Sequence, residues 1–197
     1  YPQSPYSDYA QYQLGVSLLK MLKYDSAELA FSNLIKKFPD SKLIPEATYS
    51  LGITYFQKGE YVNSERNFAK FASDFKANRL TPQAIYMRAT SLYNLGKFNE
   101  AIEAFRDIVR RYSEDTSLVQ KAEYEIADCL YQMGKEKEAV SMFLTLRSKY
   151  PASSLTPEVI WWLGEYYYKQ QKFEIARRYF KSLINDYPSS SLVADSY

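Results

Sequence analysis

An aromatic residue recurs at a nearly fixed spacing along almost the whole chain. Successive members are separated by 37, 37, 37, 38 and 37 residues, and the six members are Tyr1, Phe38, Phe75, Tyr112, Tyr150 and Tyr187. Four of the six are followed at once by a proline. A fixed period in this range is the signature of a solenoid, in which each unit buries its apolar face against its neighbours. The sequence therefore predicts a repeat scaffold.

Each interval holds two stretches of apolar residues at helical spacing. In the second interval the first stretch includes Ala47, Leu51 and Tyr55, and the second includes Phe68 and Phe75. The fold class predicted is all-α, with five helix-turn-helix repeats at residues 6–41, 42–78, 79–115, 116–153 and 154–190. Residues 1–5 are predicted to be the end of a preceding repeat and residues 191–197 the start of a sixth. The chain is therefore expected to be cut from a longer array.

The turns between the two stretches are of two kinds. Three units have a glycine there, which is Gly59, Gly96 or Gly134. Glycine is expected to close the first helix in the left-handed conformation, which it adopts without a Cβ penalty. The first and fifth units lack this glycine, and their turns are predicted near Leu22 and Gln171.

The residues between Tyr112 and Gln120 include the one extra residue of the fourth unit. Ser113 to Thr116 are predicted to form a polar loop there, because an exposed loop tolerates insertion.

Two positions stay small in every unit. On the first helix they are Gly15, Gly52, Ala89, Ala127 and Gly164, and on the second they are Ala27, Ser64, Ala101, Ala139 and Ala176. One turn further along, the second helix carries Phe31, Phe68, Phe105, Phe143 or Phe180. Small residues let paired helices approach closely, and the phenylalanines fill the space beside them. These positions are predicted to build the fold.

This order of small residue, turn, second small residue, aromatic and terminal proline resembles the tetratricopeptide repeat, whose usual period is about 34 residues. The resemblance covers essentially the whole chain. The sequence departs from the family pattern in the first helix, where the aromatic comes one residue later. The variant, with endings such as Tyr150-Pro151-Ala152-Ser153, resembles repeats of bacterial envelope proteins, such as the outer-membrane β-barrel assembly lipoprotein and the Tol-Pal-associated periplasmic partner.

The resemblance implies a right-handed α-α superhelix and a non-enzymatic scaffold for protein-protein interaction. It further implies a role in cell-envelope assembly and a location in the bacterial periplasm or at the periplasmic face of the outer membrane. A cytoplasmic adaptor is an alternative. A second alternative is a glycan-binding segment of an envelope or polysaccharide-export protein, in which aromatic rings stack on sugars.

Composition bears on the remaining functional classes. The chain has no histidine, which removes the usual general base and the commonest metal ligand. No catalytic residue, metal site or cofactor is predicted. The single Cys129 is expected to be a small buried hydrophobe. A net charge of +2 argues against nucleic acid as a partner, and no apolar run approaches the roughly 18 residues of a membrane span.

The resemblance places the first helices on the concave surface. Two columns of mostly aromatic residues follow from it: Tyr12, Tyr49, Tyr86, Tyr124 and Trp161 in the first, and Leu19, Phe56, Tyr93, Tyr131 and Tyr168 in the second. Asp128 and Glu165 give the later repeats an acidic groove, which predicts lysine or arginine in the ligand there. The expected occupant is a peptide or a partner helix.

The predicted partner-binding groove therefore comprises Tyr12, Tyr49, Phe56, Tyr86, Tyr93, Tyr124, Asp128, Tyr131, Trp161, Glu165 and Tyr168. Tyrosine suits such a surface, since it joins an apolar body to a polar tip. The alternative is that these rings pack mainly between adjacent first helices as core. Exposed apolar faces at the two ends also predict an end-to-end homodimer.

Overall fold

Ten α-helices followed by a 3-10 helix make up residues 7–196, the part of the chain that the computed structural model describes. The helices are α1 (Ser7–Lys20), α2 (Tyr24–Lys37), α3 (Ile44–Gln57), α4 (Tyr61–Asp74), α5 (Thr81–Asn94), α6 (Phe98–Arg111), α7 (Thr116–Gln132), α8 (Glu136–Lys149), α9 (Thr156–Lys169) and α10 (Phe173–Asp186). They form five helix-turn-helix repeats, so the all-α fold class is confirmed. Residues 191–196, predicted to open a sixth repeat, form the 3-10 helix, and the expectation for residues 1–5 lies outside the described residues.

The chain divides into two compact units, Tyr1–Ile108 and Val109–Tyr197. The boundary falls inside α6, so the first unit holds α1 to α5 with most of α6. The second unit holds the end of α6 and α7 to α10. We refer to them as unit 1 and unit 2.

The small residue of each first helix lies against the phenylalanine of the second helix. A Cβ atom added to Gly52 would lie 2.7 Å from the ring of Phe68, and Gly15 and Gly164 would meet their phenylalanines as closely. At the equivalent place in the third and fourth repeats, Ala89 and Ala127 have their methyl groups fully buried. No side chain larger than a methyl group fits between the paired helices.

Helix α7 is three residues longer than the other nine. Its extra turn begins at Thr116, which was predicted to lie in the loop, and the Asp115 carboxylate caps it by accepting a hydrogen bond from the Leu118 amide at 3.1 Å. The extra residue of the fourth repeat is therefore absorbed partly by helix, and the loop is shorter than predicted.

The first repeat exposes an apolar position that the second and fifth repeats bury. Leu14 on α1 is 50% exposed, whereas its equivalents Leu51 and Leu163 are 8% and 0% exposed. An uncovered apolar position of this kind can take another helix. The end-to-end homodimer stays a prediction.

All five turns share one backbone conformation. Gly59, Gly96 and Gly134 have φ of +76°, +72° and +75°, while Leu22 and Gln171 have φ of +59° and +58° at the same place. The prediction for Gly59 is confirmed. In the fifth repeat the Lys172 amide donates to the Tyr167 carbonyl at 2.9 Å, as the amide of Glu60 does to Tyr55 in the second. The hydrogen bonds that end the helix are thus kept even where a side chain strains the backbone.

Replacing Gln171 by glycine is expected to raise the free energy of unfolding by about 0.5–1 kcal/mol, because glycine removes the left-handed strain and its larger freedom in the unfolded chain offsets only part of the gain. Gln171 is exposed, so little packing is lost. The measurement is urea unfolding followed by far-UV circular dichroism.

Gly134→Ala is the matched control in the same unit. No atom lies within 4 Å of the Cβ position at Gly134, so only the backbone cost remains, and we expect a loss of about 1 kcal/mol. An unchanged stability of the Gln171→Gly variant beside a destabilised Gly134→Ala variant contradicts this account of the turns.

A lysine surrounded by three carboxylates joins the first two repeats. Lys58 Nζ lies 2.6 Å from Glu28 Oε2, 2.8 Å from Glu60 Oε1 and 2.9 Å from Asp25 Oδ1, and its side chain is only 17% exposed. Hydrogen bonds to Glu28, Glu60 and Asp25 raise the pKa of Lys58, and the bond from Lys58 lowers the pKa of Glu60. The ions therefore stabilise one another in the folded state.

Lys58→Met is expected to lower the urea midpoint at pH 7, because it leaves three neighbouring carboxylates without their common cation. The pKa of Glu60 lies below its ordinary 4.5 and that of Lys58 above its ordinary 10.5. The stability difference from wild type should therefore be constant between about pH 5 and pH 10 and shrink as the pH falls below 4.5.

Lys97→Met is the control for this experiment. Lys97 pairs with Glu100 at 3.4 Å and both side chains are more than half exposed, so the change should cost less than about 0.5 kcal/mol. Equal urea midpoints for the Lys58→Met and wild-type proteins at pH 7 rule out a stabilising role for the cluster.

Candidate partner-binding site

The first predicted column is half-buried, and every ring in it contacts the second helix of its own repeat. Ring centroids are 5.9 Å apart for Tyr12–Phe31, 5.4 Å for Tyr49–Phe68, 5.4 Å for Tyr86–Phe105, 5.3 Å for Tyr124–Phe143 and 5.5 Å for Trp161–Phe180. Most of these contacts are edge-to-face or tilted, the arrangements that aromatic pairs prefer. Each ring is therefore anchored in the core and still presents part of its surface.

In three repeats, the ring of the second predicted column packs across the turn against the first residue of the second helix. The pairs Phe56–Tyr61, Tyr93–Phe98 and Tyr168–Phe173 each join a first-helix ring to the aromatic that opens the second helix, at 5.4 Å. Phe56 and Tyr93 are half-buried, and Tyr168 is 56% exposed.

The fourth repeat departs from this scheme at one residue. Glu136 stands where the other repeats open the second helix with an aromatic. Without that partner, the Tyr131 ring packs on the next repeat, with its centroid 5.1 Å from Trp162 and 6.5 Å from Tyr166. Tyr131 thus bridges α7 and α9.

Two large rings on α9 occupy places that are smaller in the preceding repeats. The rings of Trp162 and Tyr166 stack at 5.5 Å with an angle of 4°, and Trp162 also lies 4.1 Å from the buried Phe143. Tyr166 Oη donates to Glu136 Oε2 at 3.2 Å, and burial together with this carboxylate raises the pKa of the phenol. The stacked pair therefore fills the space between α9 and the preceding repeat.

The equivalent junction in unit 1 is close-packed. Ser91 holds the place of Tyr166, and its hydroxyl lies 2.9 Å from that of Ser64, with both side chains fully buried. A tyrosine has no room in such a contact. At the equivalent junction of unit 2, the rings of Trp162 and Tyr166 stand in place of this close contact between two serines.

The result is a cleft of about 210 Å³ between α7 and α9. Its lining residues are Tyr131, Trp161, Trp162, Glu165, Tyr166 and Lys169, and we refer to it as the aromatic cleft. It brings together three of the residues predicted from sequence, namely Tyr131, Trp161 and Glu165. Both tryptophans of the chain line it.

Negative charge gathers on this part of unit 2. Burial raises the pKa of the Tyr124 phenol, and the carboxylates of Asp128 and Glu158 raise it further. Glu165 is a half-buried residue, and within residues 7–196 its carboxylate has no hydrogen-bond or ion-pair partner. The exposed Lys169 stands one helical turn beyond it, at the edge of the cleft.

The other predicted groove residues lie outside the cleft. Tyr12, Tyr49, Phe56, Tyr86 and Tyr93 belong to unit 1, each in a ring pair of its own repeat. Tyr124, Asp128 and Tyr168 belong to unit 2 but do not line the cleft.

Sequence reasoning missed Trp162 and Tyr166 as lining residues. Their signal was a departure from the repeat: an aromatic pair four residues apart where the preceding unit has Glu125 and Cys129. The glutamate at position 136 was a second departure. Both lie outside the two columns on which the prediction was based.

Residues 7–196 contain neither a metal-binding cluster nor a membrane-spanning helix. No group of three or more His, Cys, Asp or Glu side chains in this part of the chain is arranged to hold a metal ion. None of its helices is both long enough and apolar enough to span a bilayer. Cys129 is fully buried, and burial raises the pKa of its thiol to about 12.

Tetratricopeptide repeat models match the chain in three segments. One model matches residues 86–154, and a second matches residues 9–41 and 158–190. Together the matches cover more than half of the chain, so the protein belongs to the tetratricopeptide repeat family. Comparison with curated proteins gives no match.

Solved structures with the same fold include RapI in its apo form, which has a TM-score of 0.79 and 17% identity over 93% of this chain. MamA from Desulfovibrio magneticus RS-1 has a TM-score of 0.71 and 14% identity, with 93% of this chain and 97% of MamA covered. A Rap protein complexed with competence and sporulation factor has a TM-score of 0.66 and 17% identity over 90% of this chain. The chain spans about half the length of the two Rap proteins, 54% and 53%.

Proposed function

We propose that the protein is a non-enzymatic scaffold that binds an extended peptide or a helix of a partner protein, with the aromatic cleft as its main anchor. The cleft carries this proposal, because it joins four partly exposed aromatic rings to an unpaired carboxylate in one concavity. Aromatic residues dominate the binding energy of many interfaces when they sit in pockets at the centre. The half-buried rings on the first helices of unit 2 would extend the contact.

The rings of the first predicted column are held in place in a way that favours binding. Each is held by a phenylalanine of the second helix, so that little side-chain freedom is lost when a partner arrives. The fold similarity to a Rap protein that was solved with competence and sporulation factor is consistent with ligand binding by such repeats. The similarity itself concerns the fold, and the ligand of this chain is a separate question.

The test is selection of random peptides displayed on phage against the whole chain. Enriched peptides are then titrated against wild type and against the Trp161→Ala and Tyr131→Ala variants. We expect each substitution to weaken binding about tenfold or more, as truncation of an interface anchor does. Trp162 is left unchanged, because it packs on Phe143 and its loss would disturb the fold.

Ile175→Ala is the control variant for this experiment. Ile175 is on α10 in the same unit, is 37% exposed and is not part of the cleft, so its substitution should leave affinity unchanged. Failure to enrich any peptide, or equal affinities for all variants, contradicts the scaffold proposal. Quenching of the tryptophan emission by oligosaccharides alone would favour the glycan-binding alternative, for which the exposed rings are equally suited.

The cell-envelope setting is part of the proposal as well. It is supported by the resemblance of the repeat endings, such as Tyr187-Pro188-Ser189-Ser190, to those of envelope proteins. An antiserum against the chain should then detect the protein in the periplasmic or outer-membrane fraction of the cells that make it. Detection in the cytoplasmic fraction alone favours the adaptor alternative.

A further inference from the structure

No cation of residues 7–196 lies over the rings of the aromatic cleft. Elsewhere in unit 2, Arg147 lies over the Tyr179 ring at 5.5 Å, and Lys149 over Tyr150 at 4.8 Å. Among the described residues, no lysine or arginine lies over Tyr131, Trp161, Trp162 or Tyr166. Aromatic faces attract cations through their quadrupole, most strongly when water is displaced. The cleft therefore offers this interaction to a ligand.

The charge in the cleft points to the same kind of ligand. Glu165 follows Trp161 by one helical turn, so both side chains project from one face of α9. Glu165 is half-buried, and its carboxylate is unpaired within residues 7–196. An unpaired carboxylate beside aromatic rings gains most from a ligand that supplies a cation with hydrogen-bond donors.

We propose that the aromatic cleft binds the guanidinium group of an arginine side chain presented by the partner. The assignment rests on the proposed scaffold function and names the chemistry of its main anchor. The guanidinium stacks against the rings of Trp161 and Tyr131 while its N–H groups donate to the Glu165 carboxylate. A single guanidinium group would thus interact with both the aromatic rings and the Glu165 carboxylate.

Arginine fits the aromatic cleft better than lysine does. Its planar guanidinium can stack on a ring and still donate from its edge to a carboxylate, and it is less strongly hydrated than an ammonium group. A purely apolar side chain would cover the rings and take water from the carboxylate without giving it a partner. Lys169 at the edge opposes the incoming cation, so the structure predicts that its removal strengthens binding.

The two tryptophans allow a direct test, since both line the cleft and selective tryptophan excitation reports on it alone. The probes are two capped heptapeptides, acetyl-Gly-Ser-Leu-X-Leu-Ser-Gly-amide, in which X is arginine or its neutral isostere citrulline. We expect the arginine peptide to bind about tenfold more tightly than the citrulline peptide, the range of a desolvated cation–π contact with an ion pair.

Variants assign the effect to the carboxylate. Glu165→Gln should weaken the arginine peptide about fivefold to tenfold and leave the citrulline peptide unchanged, while Lys169→Met should strengthen the arginine peptide about twofold. Glu174→Gln is the matched control, because Glu174 is an exposed acid of the same unit that already pairs with Arg177. It should change neither affinity.

Each outcome decides between the proposals. Equal affinities for the two peptides overturn the arginine assignment, and so does a Glu165→Gln variant that binds the arginine peptide as wild type does. The scaffold proposal stays in place in either case if Trp161→Ala still weakens binding. Unaltered tryptophan emission with both peptides at millimolar concentration also overturns the assignment. The phage selection, which does not depend on arginine, then decides whether the scaffold proposal survives.

Discussion

The contact between a small residue on each first helix and a phenylalanine on the second sets the geometry of this protein. The Cβ position of Gly52 lies 2.7 Å from Phe68, and where alanine replaces glycine, at Ala89 and Ala127, the methyl group is fully buried. Interiors are packed to crystal-like density, so the helices cannot move apart or together without loss of contact or overlap. Because a small residue is buried at this place in all five repeats, the two helices of each repeat can approach closely.

This contact also explains why the groove rings belong to core and surface at once. The residue three places before the small residue meets the edge of the same phenylalanine, as Tyr124 meets Phe143 at 5.3 Å. One part of the ring is held there, and the rest remains accessible. From the sequence alone, core packing and groove exposure are alternatives for these rings. In the structure, a ring at this position packs on the core and is also partly exposed. A surface made of such rings is preorganised for a ligand.

Features that repeat could be predicted from sequence, and features that break the repeat could not. The helix pairs, the small positions and the left-handed Gly59 recur at one period, so each unit supports the assignment of the others. The left-handed backbone at Leu22 has no local signal, since only the neighbouring units indicate that a turn there must have this form. The aromatic cleft depends on Trp162 and Tyr166, which have no counterparts in the other repeats. The sequence does not show which residues such a ring pair contacts, and those contacts form the cleft.

A departure from the repeat indicates a binding site when it leaves a charged group or an aromatic ring without an interaction partner. Unit 1 has a larger depression than the aromatic cleft, about 480 Å³, lined by Leu22, Asp25 and Lys58 among others. Lys58 is already paired with three carboxylates, so this ion cluster is complete without a ligand. In the aromatic cleft, by contrast, the Glu165 carboxylate is unpaired within the described residues and the rings carry no cation. Natural proteins keep such local conflicts mainly where function requires them. The smaller cleft is therefore the better candidate for a binding site, because its chemistry is completed only by a partner.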